Sequence, residues 1–245
     1  MKRIMLTVAY DGTDYSGWQI QPHAVTIEGI LNRELSNLLG EEIRVIGASR
    51  TDAGVHAEGA VCVFDTQSRI PPDKFSFALN QTLPADIRIR KSEEVALDFH
   101  PRKCDCRKTY AYRIWEDTFP MPTNQRYMLW VHTKLDVDRM KKAASYLVGQ
   151  HDFASFCSTH TQTENTVRTI YYLSVTREGK QITLTVCGDG FLYNMVRIIA
   201  GTLIEIGQGK REPESVKEML RALDRASSGP TAPPQGLCLM EYEFE

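Results

Sequence analysis

The 245-residue sequence predicts an α/β (α+β) fold made of two ferredoxin-like, RRM-like β-α-β-β-α-β halves with mainly antiparallel sheets. Three observations predict it. Apolar residues alternate in short segments, they recur at helical spacing in the segments between, and the same order of elements is met twice. The repeat is one of order and not of letters.

In the first half, Ile4, Leu6, Val8 and Tyr10 alternate as a strand. Ile27, Ile30, Leu31, Leu35, Leu38 and Leu39 form a helical stripe that Gly40 closes as a C-terminal cap. A short strand is expected around Ile43–Ile46 and another over Ala60–Thr66. A helix follows from Pro71-Pro72-Asp73 through Leu79, then a strand in DIRIRKSEEV. In the second half KTYAYRIWE is a strand, and Asp138 is expected to cap a helix running through Ala144 and Leu147 to Gly149. VRTIYYLSVTREGKQITLTVCGDG reads as a hairpin turning at Glu178-Gly179. FLYNMVRIIAGTLIEIG is a largely apolar helix buried between layers, an extra helix starts near Pro213, and LCLMEYEF closes the chain as a strand. Domains are expected at 1–104 and 105–245, meeting near residues 103 to 108, with the active-site cleft between them.

The composition narrows the function. No stretch approaches the ~18 apolar residues of a membrane helix, and the N-terminus reaches Asp11 too soon for a secretory leader. A cytoplasmic protein with no membrane partner is expected, its six cysteines reduced. Cys104-Asp105-Cys106 lacks both knuckle spacing and a second pair, so no metal site is expected. The formal net charge of −2 argues against nucleic acid, but distribution matters more than the sum. HPRKCDCRKTYAYR gathers Arg102, Lys103, Arg107, Lys108 and Arg113 against the single acid Asp105, interleaved with Tyr110 and Tyr112. Cations for phosphates and rings for unstacked bases are what single-stranded RNA recognition needs.

SRTDAGVHA, from Ser49 to Ala57, is the chemically odd connector. Taken alone, Asp52-Ala53-Gly54 is ordinary turn chemistry, with Gly54 supplying a positive φ. The sharper reading makes Asp52 a nucleophile shown on a rigid loop, with Arg50 beside it to receive an anion. Arg197, near the start of the apolar helix, is costly there unless paired. Either a structural salt bridge or Asp52 itself would serve, and an arginine beside Asp52 would hold its carboxylate ionised.

YDGTDYSGWQIQP, GASRTDAGVHA, FHPR, RKTYAYRI, GDGFLYNMVRIIAGTL and GPTAPPQGLCL stand in the order found in the tRNA pseudouridine synthase A family, which the chain resembles from residue 9 to its end. One departure is Asn194, where many relatives carry histidine. The resemblance implies an isomerase that turns uridines 38, 39 and 40 of the tRNA anticodon stem-loop into pseudouridine. It further implies a homodimer of two-domain α/β subunits with neither metal nor organic cofactor.

By the same resemblance Asp52 matches the family's catalytic aspartate, Arg197 the basic residue paired with it, and Tyr110 the active-site tyrosine that packs on the uracil. Arg50 matches the arginine that helps extract the target base, and Leu237 an apolar residue behind it. His100, Arg102 and Lys103 would anchor the RNA backbone. Asp52 could attack C1′ and hold the sugar covalently, as in retaining glycosidases, or take a proton from C2′; the sequence leaves both open. Leu237 is equally readable as a core residue, and His56 as a loop-fixing histidine.

Three rivals fare worse. A non-catalytic RNA-binding module leaves Asp52 and Arg197 idle and lacks an RRM-type aromatic run. A zinc deaminase needs H-x-E and P-C-x-x-C, both missing. A dinucleotide enzyme needs G-x-G-x-x-G, and the Gly188-Asp189-Gly190 triplet lacks its third glycine.

Overall fold

A computed structural model describes residues 1–159 and 165–244. The chain divides into two compact units, Met1–Asp105 with Leu239–Glu245, and Cys106–Cys238.

In the first unit β1 (Lys2–Tyr10) is followed by α1 (Ile27–Leu39), β2 (Ile46–Gly47), β3 (His56–Thr66), a 3₁₀ turn, α2 (Phe75–Leu79) and β4 (Ile87–Val95). The strand order β4-β1-β3, with β2 on the outer side of β3, is that of a split βαβ fold, and the β1 pairings are antiparallel. Alternation buries Ile4, Leu6, Val8 and Tyr10 of β1 beside Ile27, Ile30, Leu31 and Leu35 of α1. Thr26 caps α1 and Gly40, at φ 68°, ends it as expected. A bulge between Val8 and Tyr10 lies beside the connector that carries Asp52.

The strand expected at Ile43–Ile46 is only Ile46–Gly47. The Ile43 and Val45 N–H groups bond instead to Ser36 Oγ (2.9 Å) and Asn32 Oδ1 (2.8 Å) of α1, which leaves no ladder for that stretch. β3 starts earlier than expected, so His56 belongs to the strand and the connector stops at Val55.

The second unit runs β5 (Cys106–Glu116), β6 (Leu129–Val131), α3 (Val137–Ser145), β7 (Gly149–Asp152), β8 (Val167–Glu178), β9 (Gln181–Gly188), α4 (Met195–Gly207) and α5 (Ser215–Ala222), with β10 (Leu237–Phe244) beginning at its end. The order β5-β9-β8-β7 is antiparallel throughout, and β6 adds parallel to β5. Tyr112, Ile114, Ile182, Leu184 and Val175 fill the sheet face covered by α3 and α4. From Leu239 onward β10 counts with the first unit, where it neighbours β3; the expected bounds had left all of it in the second half.

The cap of α3 is Asp136 and not Asp138. Its Oδ1 accepts from the Asp138 and Arg139 N–H groups at 3.0 and 3.1 Å, which only a residue ahead of the first turn can do. The helix stops at Ser145, and Gly149 opens β7, a strand not foreseen. The β8–β9 hairpin pairs Glu178 with Gln181, so its turn is Gly179-Lys180.

Candidate active site

The Asp52 connector, Ala48 to Val55, is pinned by main-chain bonds. The Trp18 N–H donates to the Thr51 carbonyl (3.0 Å), Gly54 N–H to Tyr15 (3.3 Å), and Val55 N–H to Asp52 (3.2 Å). Thr51 Oγ1 is buried 2.7 Å from the Tyr10 hydroxyl. Two close approaches bed the loop on the segment after β1. A β-carbon on Gly12 would lie 2.0 Å from the Val55 carbonyl oxygen, and one on Gly17 2.6 Å from that of Thr51. Gly17 also takes φ +87°, a conformation that side chains resist. DGTDYSG is therefore the bed of RTDAGV.

His56, buried at the head of β3, accepts the Gly12 N–H at Nδ1 (3.1 Å), with Asp11 Oδ1 3.2 Å from the same nitrogen. His56 thereby clamps the start of β3 to the segment after β1. On the connector itself Gly54 takes the expected positive φ of 76°, Asp52 is half-buried and Arg50 is exposed. His100 to Lys103 form a tight turn: the Lys103 N–H donates to the His100 carbonyl (2.9 Å) and the Arg102 N–H to His100 Nδ1 (3.2 Å). Arg102 then reaches across to donate through Nε to the Gly47 carbonyl (2.7 Å), three residues ahead of Arg50. Arg102 is thus tied to β2, just ahead of the connector that carries Arg50 and Asp52, and Lys103 is exposed at the end of its turn.

In the second unit Tyr110 lies on β5, buried, with Phe191 edge-on at 5.3 Å and 86°. Arg197 sits in the first turn of α4, where its Nε donates to the Ala232 carbonyl (2.7 Å) and its Nη1 to Asn194 Oδ1 (2.8 Å). The Ala232 N–H returns a bond to the Arg197 carbonyl (3.0 Å), and Tyr112 Oη donates to the Pro233 carbonyl (2.8 Å). GPTAPPQG is thereby strapped to α4 and β5. Leu237, just beyond it, is buried, as a core residue would be.

Phe191 and Ala232 were not singled out by the sequence, and Asn194 was noted there only as a departure. Phe191 packs edge-on against Tyr110, while the Ala232 carbonyl and Asn194 Oδ1 accept from Arg197. Lys108, on β5, is a further basic group of interest. Burial pulls its ammonium below the ordinary lysine range, nearby Arg168 acts in the same direction, and Cys106 and Asp189 oppose. Among the described residues no cluster of three His, Cys, Asp or Glu could hold a metal ion, and no helix is long and apolar enough to cross a membrane.

The geometry offers a carboxylate on a rigid loop in one unit, and an oriented guanidinium with a fixed aromatic ring in the other. A family model described as tRNA pseudouridine synthase matches residues 6–102 and 143–245. The chain belongs to the tRNA pseudouridine synthase family. Relatives called tRNA pseudouridine synthase A match over the full length of both chains, with 52% identity in Brevibacillus brevis, 46% in Geotalea uraniireducens and 48% in Ruminiclostridium cellulolyticum. Asp52, Arg50, Arg102, Arg197 and Leu237 fall inside the span that matches the synthase family model; Lys103 and Tyr110 fall between its two parts, in a stretch that the full-length relatives cover.

Proposed function

We propose that this pseudouridine synthase isomerises uridines 38, 39 and 40 of the tRNA anticodon stem-loop, with Asp52 as its nucleophile. The supporting observation is the Asp52 connector: a half-buried carboxylate on a loop whose backbone is pinned at Thr51, Asp52, Gly54 and Val55. Such pinning fixes where the carboxylate is displayed, as a nucleophile requires.

On this reading the bond from C1′ to N1 breaks, the uracil turns over, and C1′ joins C5, with the C5 proton lost to solvent. Asp52 attacks C1′ and is released when C5 re-attaches. Arg197 is its counter-ion and keeps it ionised. Tyr110 packs on the uracil, with Leu237 behind it. Arg50 assists eversion of the target nucleotide, a step that costs a few kcal/mol of unstacking. His100, Arg102 and Lys103 hold the RNA backbone, so binding weakens as salt rises. By the family resemblance the working form is a cytoplasmic homodimer that needs neither metal nor organic cofactor.

The test is positional. Unmodified tRNAs with uridine at 38, 39 or 40 are incubated with the protein, and pseudouridine is mapped by carbodiimide-dependent stops of reverse transcription. Stops at those three positions and nowhere else are expected; stops confined to other positions, or none, would overturn the reading.

A further inference from the structure

Asn194 occupies an unusual place. It stands directly ahead of α4 with φ 62° and ψ 6°, in the left-handed region that few side chains tolerate, and asparagine is one of them. A residue there for its backbone alone would need no further bonds. Its amide nevertheless makes two. Nδ2 donates to Ser158 Oγ at 2.9 Å, and Oδ1 accepts from Arg197 Nη1 at 2.8 Å. The orientation of the amide follows from chemistry: a guanidinium only donates, so the oxygen must face Arg197 and the NH₂ must face Ser158. Ser158 is itself tied down, its N–H donating to the Tyr193 carbonyl at 3.1 Å.

We infer that Asn194, steadied by Ser158, is a positioning residue that sets the guanidinium of Arg197 for catalysis. A long side chain reaching from a helix start has several rotatable bonds, and each acceptor that fixes its head removes misdirected rotamers. Ala232 fixes Nε, and Asn194 fixes Nη1 on the other limb of the fork. With an acceptor on each limb of one planar group, rotation of the head about the side-chain bonds is restricted. This inference rests on the reading of Arg197 as the partner of Asp52, and deepens it: the amide is neutral, so it orients the guanidinium without competing for its charge.

The experiment compares Asn194→Gly, Asn194→His, Ser158→Ala, Arg197→Lys and Arg197→Met in a steady-state pseudouridylation assay, with melting temperatures measured alongside. Glycine keeps the left-handed backbone and deletes the amide. Asn194→Gly is expected to lower kcat by roughly 10- to 100-fold with KM and melting temperature nearly unchanged. Histidine tolerates the same backbone region and offers a ring nitrogen as acceptor, so Asn194→His should recover most of that loss. Ser158→Ala should cost about 3-fold, and Asn194→Gly placed on top of Arg197→Lys should cost nothing more. The inference is overturned if Arg197→Lys is slow while Asn194→Gly turns over like the parent. It is also overturned if Asn194→Gly loses activity only in step with melting temperature and histidine restores neither. Full activity of Arg197→Met, which removes the charge, would instead remove the reading of Arg197 beneath it.

Discussion

The loop under Asp52 and the head of Arg197 are each fixed in a different way. Asp52 has a short side chain on a loop, so fixing the backbone limits where the carboxylate can reach, and the fold does this with main-chain bonds and two glycine-bedded approaches. Arg197 starts from a helix whose backbone is already rigid, yet its head is far from that backbone. There the fold spends acceptors on the head itself, Ala232 O and Asn194 Oδ1. The contrast teaches that the first site is vulnerable to added atoms and the second to deleted ones.

Breaking the first site by addition gives the largest expected effect. Gly12→Ala puts a β-carbon 2.0 Å from the Val55 carbonyl oxygen, a clash of backbone against side chain that neither flexible partner relieves. A loss of roughly 3 kcal/mol is expected from the urea midpoint, with activity falling further than stability. An unchanged midpoint would mean that the loop is not bedded there. Asn194→Gly should show the reverse pattern, activity lost and stability kept, which is what separates the two modes.

His56→Phe comes next. It leaves the buried Gly12 N–H without its acceptor, at a cost of about 1–3 kcal/mol in chemical denaturation. Thr51→Val removes the hydroxyl pair with Tyr10 and should cost about 1 kcal/mol, because both groups return to water on unfolding. Equal stability of Thr51→Val and its parent would shift the anchoring of the loop entirely onto its main-chain bonds.

The smallest effect lies away from both sites. Glu116 accepts from Arg177 at 3.0 and 2.8 Å and from the Leu135 N–H at 2.7 Å, and these bonds hold its carboxyl below the ordinary value of 4.5. A depressed folded value means that the pair stabilises the fold above the unfolded value and loses that contribution as pH falls through the folded one. Glu116→Gln is therefore expected to lower stability by under about 1 kcal/mol at neutral pH, since Arg177 is partly exposed, and by progressively less below about pH 4. A gap that widens on acidification would contradict the sign.

Much of the fold could be read from period alone. The β1 alternation, the α1 stripe with its Gly40 stop, and the β8–β9 hairpin follow from near neighbours in sequence. What escaped depends on distant partners. Ile43 and Val45 look like strand residues, yet α1 side chains take their N–H groups. Asp136 and Asp138 are alike in type, and only the helix start decides which one caps. At the candidate site, the residues taken alone left Asp52 open to an ordinary turn and Arg197 to a structural salt bridge, and it was the order of the motifs, through the family resemblance, that singled out Asp52, Tyr110 and Arg197. The bed under Asp52 and the amide beside Arg197 were not legible, since both are contacts between segments that sequence distance conceals.

The central claim is that the Asp52 carboxylate does the chemistry. The most direct measurement is release of tritium from tRNA labelled at C5 of uridine, followed for the parent and for Asp52→Asn, with tRNA binding measured in parallel. The account predicts release by the parent, none by Asp52→Asn, and binding within a few-fold of each other. Comparable release by Asp52→Asn would contradict it.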